Sequence, residues 1–548
     1  MSSAKLIALC TLLSRVTGLV RDMLVMHAFG QKWVADAFWY AFQFPNLFRR
    51  LFGEGALAAV FVPVFTRTLE REGRPAAWKL LARTLCLLTL TLVAIVIVIE
   101  LIVLAIWMLA PGATVEVEQS RGLLLVLTAT MLPFMISICV LALFSSILNC
   151  VGSFGPAALA SIVLNVLMIA ALLAAPWLAG ESAAARVQLV AWSVVIAGVL
   201  QILIILPAMR SVGIELGWTF SPRDPQVREL LLKLGPALLG QGILLISTFL
   251  DTQLCVALTA VGDATHARVF GVSLAYPLQE GALSAVNAAA RLYQFPLGVL
   301  VISLATAALP AFSRLAARGD WPAWMVEVRQ MFRLALFEGL LVGAMMIVLA
   351  DAIIRLLFEH GAFDAAATQR SAAVLSWYGA GMWAFCAQHI VLRGFYSMGD
   401  VTTPLRISLV AVPVNFALSA ALVWVDGVRE SAFAISSAVT AGGAVIAGLW
   451  LLARAHRVAF ADAATLGAMA RMLIAAIAAA AGVWWFRGWW LTAIGGDSMG
   501  LLARCVDTFG GLGLGMAMFL GIAAMLGLPE SRMLLAVFAR RSPRANGG

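Results

Sequence analysis

Charge is what this chain has least of. Only 12% of its 548 residues are Asp, Glu, Lys or Arg, against about 25% in a typical soluble domain. With 62% of the residues hydrophobic, there is too little polar surface to wrap a water-soluble globule, which excludes a soluble enzyme or soluble binding module. The formal net charge of +9 does not point to nucleic acid, because the basic residues fall in short loops between apolar runs. Patterned cysteine is absent as well. The seven cysteines are scattered, mostly within apolar runs, with no CxxC or Cys/His cluster, so neither a disulfide framework nor a structural metal site is expected. There is no HExxH and no P-loop, and the loops are too short to hold a catalytic domain, so no enzyme activity, metal or cofactor is expected. A cleavable leader is not expected either: Arg15 interrupts the apolar run after Lys5 and no A-x-A site follows.

What is present is hydrocarbon-length helix. At about 20 apolar residues per span, about fourteen spans are read: 8–29, 34–65, 78–109, 122–148, 156–178, 187–209, 229–259, 288–312, 332–358, 371–396, 405–425, 431–453, 466–486 and 508–528. The second is too long for one straight helix, and Gly53 and Gly55 around Glu54 offer a break and a gating hinge. The stretch 261–287, rich in Gly, Ser and Ala, is expected to be a re-entrant or interfacial helix and to be an insertion. Arg67, Arg71, Arg74 and Lys79, then Arg223, Arg228 and Lys233, then Arg314, Arg318 and Arg329, then Arg454 and Arg457, and finally the tail arginines all fall on one side of this layout. Loops such as PGATVEVEQS and GGDSMG occupy the other, so both termini are expected in the cytoplasm. The WWFRGWW run at 484–490 reads as an interfacial aromatic belt.

The chain repeats itself. FVPVFTRTLEREGRPA (61–76) resembles ALPAFSRLAARGDWPA (308–323), with Pro63, Phe65, Arg67 and Pro75 matching Pro310, Phe312, Arg314 and Pro322. QFP occurs at 43–45 and again at 294–296. Six spans per copy is an even number, so the copies run parallel, as in transporters whose halves flank a midplane site. The expected organisation is all-α: an N-lobe (1–220), a linker at SPRDPQ, a C-lobe (227–455), a C-terminal helix pair (461–530) and a cytoplasmic tail (531–548).

The few intramembrane charges cluster. Arg15, Arg21 and Asp22 lie in the first span, with Arg15 and Asp22 on one face. Asp36, Arg49, Arg50 and Glu54 lie in the second, and Arg291 in the eighth. Lipid contact would be prohibitive, so these side chains must face a wet or protein-lined interior. The carboxylates Asp22, Asp36 and Glu54 can neutralise three arginines as structural ion pairs. The surplus positive charge asks for an anion, and the planar guanidinium fork suits phosphate or carboxylate bidentately. Arg50 can instead snorkel to the cytoplasmic interface. Glu100, Glu338, His389 and Arg393 are isolated and weaker candidates, whereas Asp251, on the first helix of the second lobe, is a candidate for a coupling cation.

The stretches SRVTGLVRD (14–22), ADAFWYAFQFPNLFRRLFGEGALAAVFVPVF (35–65), ARLYQFPLGV (290–299) and GFYSMGDVTTPLRI (394–407) resemble the MurJ (MviN) family, lipid II flippases within the multidrug/oligosaccharidyl-lipid/polysaccharide exporter superfamily. The resemblance covers essentially the whole chain. It implies a peptidoglycan-precursor flippase of the bacterial inner membrane. Arg15, Arg21, Arg49 and Arg291 would bind lipid II, with Asp22, Asp36, Glu54, Gly53 and Gly55 as acidic or gating support. The C-terminal helix pair would line a groove for the polyprenyl tail. Coupling to membrane potential, Na+ or H+, and contacts with wall-synthesis proteins, are compatible with it. The chain departs from the family pattern at Ala290, Gln294 and Gln43, where charged residues are common, so Arg291 is expected to lack a local acidic partner. Two rivals stay open at this stage: an exporter of another polyprenyl-linked oligosaccharide or of drugs, and a non-transporting scaffold for wall synthesis.

Overall fold

A computed structural model describes residues 3–53, 56–109, 114–153, 155–262, 266–269, 272–456, 459–460, 462–494 and 500–533. The chain divides into two compact units, Met1–Ser284 with His360–Phe363, and Ala285–Glu359 with Asp364–Gly548. The first contains α1 (Ser3–Phe29), α2 (Trp33–Phe48), α3 (Ala56–Glu72), α4 (Arg74–Leu109), α5 (Val115–Met131), α6 (Phe134–Cys150), α7 (Gly155–Leu178), α8 (Ala183–Ser211), α9 (Pro225–Ala257), β1 (His266–Val269) and β2 (Val272–Ala275). Next comes α10 (Ala282–Pro296), which begins there. The second unit holds the rest of it with α11 (Ile302–Arg318), α12 (Trp321–Val348), α13 (Ala350–Phe358), α14 (Ala365–Ser397), α15 (Thr402–Leu422), α16 (Ala432–His456), α17 (Ala463–Ile494), α18 (Leu501–Cys505) and α19 (Gly511–Met525).

Each expected span falls on a helix or on a broken helix pair. Among the described residues, eight helices are long and apolar enough to cross a membrane unaided, or nine if α10 and α11, bent by 41°, count as one span. Several of the remaining spans, such as α1 and the α2–α3 pair, carry the charges that interest us here.

Local chemistry sets the ends. Asp224 accepts from the backbone N–H groups of Gln226 (3.0 Å) and Val227 (3.3 Å), and Pro225 opens α9 where its missing N–H costs nothing. The SPRDPQ stretch is thus a capped connection between α8 and α9. Gly319 closes α11 with φ 68°, a left-handed conformation that favours glycine.

Two breaks recur at repeat-related places. After α2 the backbone passes through a π-helical turn, Arg49–Gly53, and after α10 through another, Leu297–Val301. Both follow a QFP motif, whose proline cannot donate to the helical ladder. The break in the second span therefore begins at Arg49, before the Gly53-Glu54-Gly55 stretch where it was expected. Gly53 ends the π turn, while Glu54 and Gly55 lie outside the described residues.

The 261–287 stretch is not a re-entrant helix. It carries an antiparallel β1–β2 hairpin in which Val269 pairs with Val272 and His266 with Ala275, before α10 starts at Ala282. β-branched residues fit a pleated ladder better than a helix.

In the first unit α7 packs on α1 and α8, α2 on α5, and α9 on α3. Contact thus groups α9 with the helices before it, whereas the repeat assigns it to the second copy. In the second unit α12 packs on α14, and α14 on α16. Gly339 and Gly343 sit one turn apart at the α12–α14 crossing, and a Cβ at Gly343 would lie 2.4 Å from the Gly379 carbonyl oxygen. Small residues let the helices close in this way without a hydrophobic drive from lipid. The C-terminal pair belongs to the same unit: α17 packs on α12 and α19, and Phe337 of α12 meets Phe519 of α19 at 4.6 Å between ring centroids.

Candidate functional site

Arg21, on α1, is 5% exposed and tightly held. Its Nε and Nη2 donate to Asp22 Oδ1 at 2.8 and 2.7 Å, and its Nη1 donates to Asn165 Oδ1 on α7 at 3.0 Å. Asn165 Nδ2 in turn donates to the Ser14 carbonyl at 3.0 Å and to Thr17 Oγ1 at 3.2 Å. The Arg21 guanidinium also lies over the Phe42 ring of α2, 5.4 Å from its centroid. One arginine therefore ties α1 to α7 and α2. Asp22, 6% exposed, pairs with Arg21. Arg15, seven residues before Asp22 on the same helix, is exposed.

Arg49 sits at the first position of the π turn, partly buried. Its Nε and Nη2 both donate to Asn46 Oδ1, at 3.1 and 2.9 Å. A neutral amide thus steadies one edge of this guanidinium, which takes part in further contacts as well. Arg50 is also partly buried in the turn; Glu54, the expected partner of Arg50, lies outside the described residues.

Asp36 holds a helix end. It is 1% exposed and its carboxylate accepts from Gly281 N (2.8 Å), Ser284 N (2.8 Å) and Ser284 Oγ (2.6 Å). A buried acid from α2 thus caps the N-terminus of α10, where unpaired N–H groups and the helix dipole favour negative charge. This duty is invisible in a sequence, which shows formal charges but not helix ends. Gly281 has φ 82°, and a Cβ there would lie 2.3 Å from the Gln31 carbonyl oxygen, so the capped turn requires glycine.

Asp251 is partly buried on α9, and Arg291 partly buried on α10 in the second unit. Arg291 does not stand free for want of an acid at Ala290; it takes part in polar or ring contacts of its own. Of the isolated groups, Glu338 is 7% exposed on α12, and its Oε2 meets no hydrogen-bond partner among the described residues.

A buried charge network in the second unit has no counterpart among the sequence-based expectations. Arg487 of α17 donates from Nη1 and Nη2 to Asp351 Oδ1 and Oδ2 at 2.7 and 2.8 Å. From Nε and Nη2 it donates to Asp507 Oδ1 and Oδ2 at 2.9 and 3.1 Å, and from Nη1 to the Val348 carbonyl at 2.8 Å. Asp507 is 0% exposed. The clamp joins α17, α13 and the π turn Val506–Gly510. Its only sequence signal was an arginine set among tryptophans.

No group of three or more metal-ligating side chains exists among the described residues. What α1 and the α2–π turn offer chemically is guanidinium charge within membrane-spanning segments, one arginine neutralised by Asp22 and another steadied by a neutral amide.

Comparison with known proteins gives this arrangement a context. The profile of the family described as lipid II flippase MurJ matches residues 25–499. The probable lipid II flippase MurJ of Rhizobium tropici is 34% identical over 431 residues, covering 78% of this chain and 76% of that protein. The Vibrio cholerae protein of the same description is 29% identical over 539 residues, 96% of each chain. Among solved structures, a lipid II flippase MurJ in an inward closed conformation aligns with TM-score 0.72 at 20% identity, over 97% of this chain and 99% of that one. An inward-facing multidrug resistance MATE family transporter aligns with TM-score 0.64 at 13% identity, over 81% and 94%. The fold is common to both transporter types, and the profile and sequence identity separate them: this chain belongs to the MurJ lipid II flippase family.

Proposed function

We propose that the protein is a multi-pass flippase of the bacterial cytoplasmic membrane, with both termini in the cytoplasm. It moves undecaprenyl-diphosphate-linked disaccharide-pentapeptide from the inner to the outer leaflet by alternating access, without chemical conversion of the cargo. Family membership supports the cargo. The observation that carries the mechanism is Arg49, a guanidinium in a π turn inside a membrane span, steadied by the neutral Asn46 amide. A diphosphate there gains charge-assisted, bidentate hydrogen bonds that a cationic drug would not, and its two phosphates can engage more than one guanidinium where a single carboxylate cannot. Arg15, Arg21 and Arg291 are assigned to the same ligand, with Arg21 doubling as the α1–α7 tie. No cofactor is invoked. An inside-negative potential favours outward movement of an anion by about 2.3 kcal/mol per charge per 100 mV. Asp251 is the residue to examine for a coupling cation.

Depletion in the native host, with mass spectrometry of lipid-linked precursors, tests the cargo: lipid II should accumulate on the cytoplasmic side. Accumulation of a different polyprenyl-linked glycan would overturn the assignment. Complementation of the depleted strain tests the arginines. Arg49→Ala and Arg291→Ala should fail at normal membrane levels, and Arg→Lys at either position should rescue poorly because an ammonium cannot reproduce the fork. Growth with either alanine variant would remove that residue from the binding machinery.

A further inference from the structure

The arginines account for the diphosphate but not for the neutral bulk of the headgroup. A second set of intramembrane polar groups lies along the packing of α2 on α9. Tyr40 Oη donates to Gln253 Oε1 at 2.8 Å, and Gln43 Nε2 donates to the Thr248 carbonyl at 3.2 Å. The Thr248 carbonyl only accepts, which turns Gln43 Nε2 toward it, and the Tyr40 hydroxyl, able to donate or accept, donates in this pair of bonds. The bonds leave Gln43 Oε1 and Gln253 Nε2, both buried, with no hydrogen-bond partner among the described residues. At about 1.5 Å of rise per residue, Gln43 lies about 15 Å along α2, deep in a span. Stranding amide groups at that depth is costly, since no bulk water repays the loss. The same seam carries aromatic rings: Phe44 meets Tyr40 at 5.5 Å and Phe249 of α9 at 5.3 Å, both edge-on.

We propose that this seam is a subsite for the N-acetylated sugar portion of the headgroup, a reading that rests on the flippase assignment above. The two unused atoms are one acceptor and one donor. They complement the N–H and C=O of an acetamido group, which Gln43 Oε1 and Gln253 Nε2 satisfy respectively. The neutral amides suit a neutral ligand, and the adjoining rings offer apolar faces to the C–H side of a sugar. Neither glutamine touches the arginines' task, so the seam selects the glycan while the guanidinium groups select the diphosphate.

The test uses full-length protein in lipid nanodiscs and two probes, lipid II and undecaprenyl diphosphate, which differ by the glycopeptide. Gln43→Leu and Gln253→Leu should each weaken lipid II binding by about three- to tenfold, the worth of one hydrogen bond. Undecaprenyl diphosphate binding should be unchanged. The thermal midpoint without ligand should change little for Gln43→Leu, where leucine removes a stranded oxygen, and fall modestly for Gln253→Leu, which also strands the Tyr40 hydroxyl. Tyr40→Phe, close to isosteric, should act in the same direction on lipid II by releasing Gln253, and it keeps the test open if a leucine variant fails to fold. If the variants weaken both probes equally, or lower the ligand-free midpoint while leaving lipid II binding intact, the seam is only a helix-packing contact and the proposal is wrong. If the wild-type protein binds undecaprenyl diphosphate and lipid II alike and no variant changes this, the seam proposal fails while the flippase reading stands. If the wild-type protein binds neither probe, the flippase reading fails and takes the subsite with it.

Discussion

Replacing Asp36 gives the sharpest test of how the first unit is held. Its carboxylate serves three donors, Gly281 N, Ser284 N and Ser284 Oγ, at a site 1% exposed. Asp36→Ala strands two backbone N–H groups that have nowhere to turn, while the Ser284 hydroxyl can rotate. At about 1–3 kcal/mol for each unsatisfied buried donor, the loss is roughly 2–6 kcal/mol. Asp36→Asn keeps one acceptor oxygen, forfeits one bond, and removes the charge from the α10 N-terminus. That change costs roughly 1–3 kcal/mol for the bond and about 0.3–1 kcal/mol for the dipole. Thermal unfolding in detergent should therefore rank wild type above Asn above Ala. At about 2–4 °C per kcal/mol for domains of 150–250 residues, the alanine variant should drop by roughly 5–20 °C. A double-mutant cycle with Ser284→Ala separates the cap from an unrelated packing defect. The two changes should couple by about 0.5–3 kcal/mol, because Ser284 loses its partner in either single variant. Strict additivity, or an alanine variant within about 1 °C of wild type, would refute the cap.

Two further substitutions probe other elements. Arg487→Leu should destabilise the second unit by about 3–5 kcal/mol, since it leaves Asp507, 0% exposed, and Asp351 without their shared counter-ion; an unchanged melting profile in detergent would show that the network carries no net stability. Asp400, in the loop before α15, is pushed up by burial, but hydrogen bonds from Thr403 and Thr402 outweigh this and hold its carboxyl below the usual aspartate range. Its folded pKa being the lower one, its contribution is complete above the unfolded value of about 3.9 and fades as pH falls toward the folded value. Asp400→Asn should accordingly lower the midpoint at pH 7 and converge on wild type in strong acid; a gap that persists there would mean that charge is not what Asp400 supplies.

The sequence carried the membrane layout well, because hydrocarbon thickness is a one-dimensional constraint: a run either has enough apolar residues or it does not. It also carried the QFP repeat, but not the π turn that follows each copy, where a proline makes the helical ladder give way. In the second span the glycines at 53 and 55 point to a break a few residues late, because the geometry already changes from Arg49. Partners were far less legible. Asn165 lies 144 residues from Arg21 and looks like an ordinary polar interruption of an apolar helix. Arg487 was hidden among tryptophans that fit an interfacial belt. The hairpin at 266–275 was missed because Gly and Ala in a membrane protein suggest close helix packing, while its strand signal is two valines.

Asp36 shows the deeper reason. Formal charges suggested pairing it with an arginine, but a helix N-terminus is itself a positive object that no residue letter records. Once Asp36 is committed to α10 and Asp22 to Arg21, the acids in the described parts of α1, α2 and the first π turn have structural duties. The arginines of the same stretch are Arg15, Arg21, Arg49 and Arg50. Folding therefore commits negative charge to helix ends and ties, a demand that a count of residues does not show. The same reasoning divides the arginines. Arg21 is bound into the fold by Asp22 and Asn165, so its replacement must weaken the α1–α7 packing as well as binding. Arg49 donates to the neutral amide of Asn46, three residues before it at the end of α2, so its replacement disturbs the entry to the π turn as well as binding.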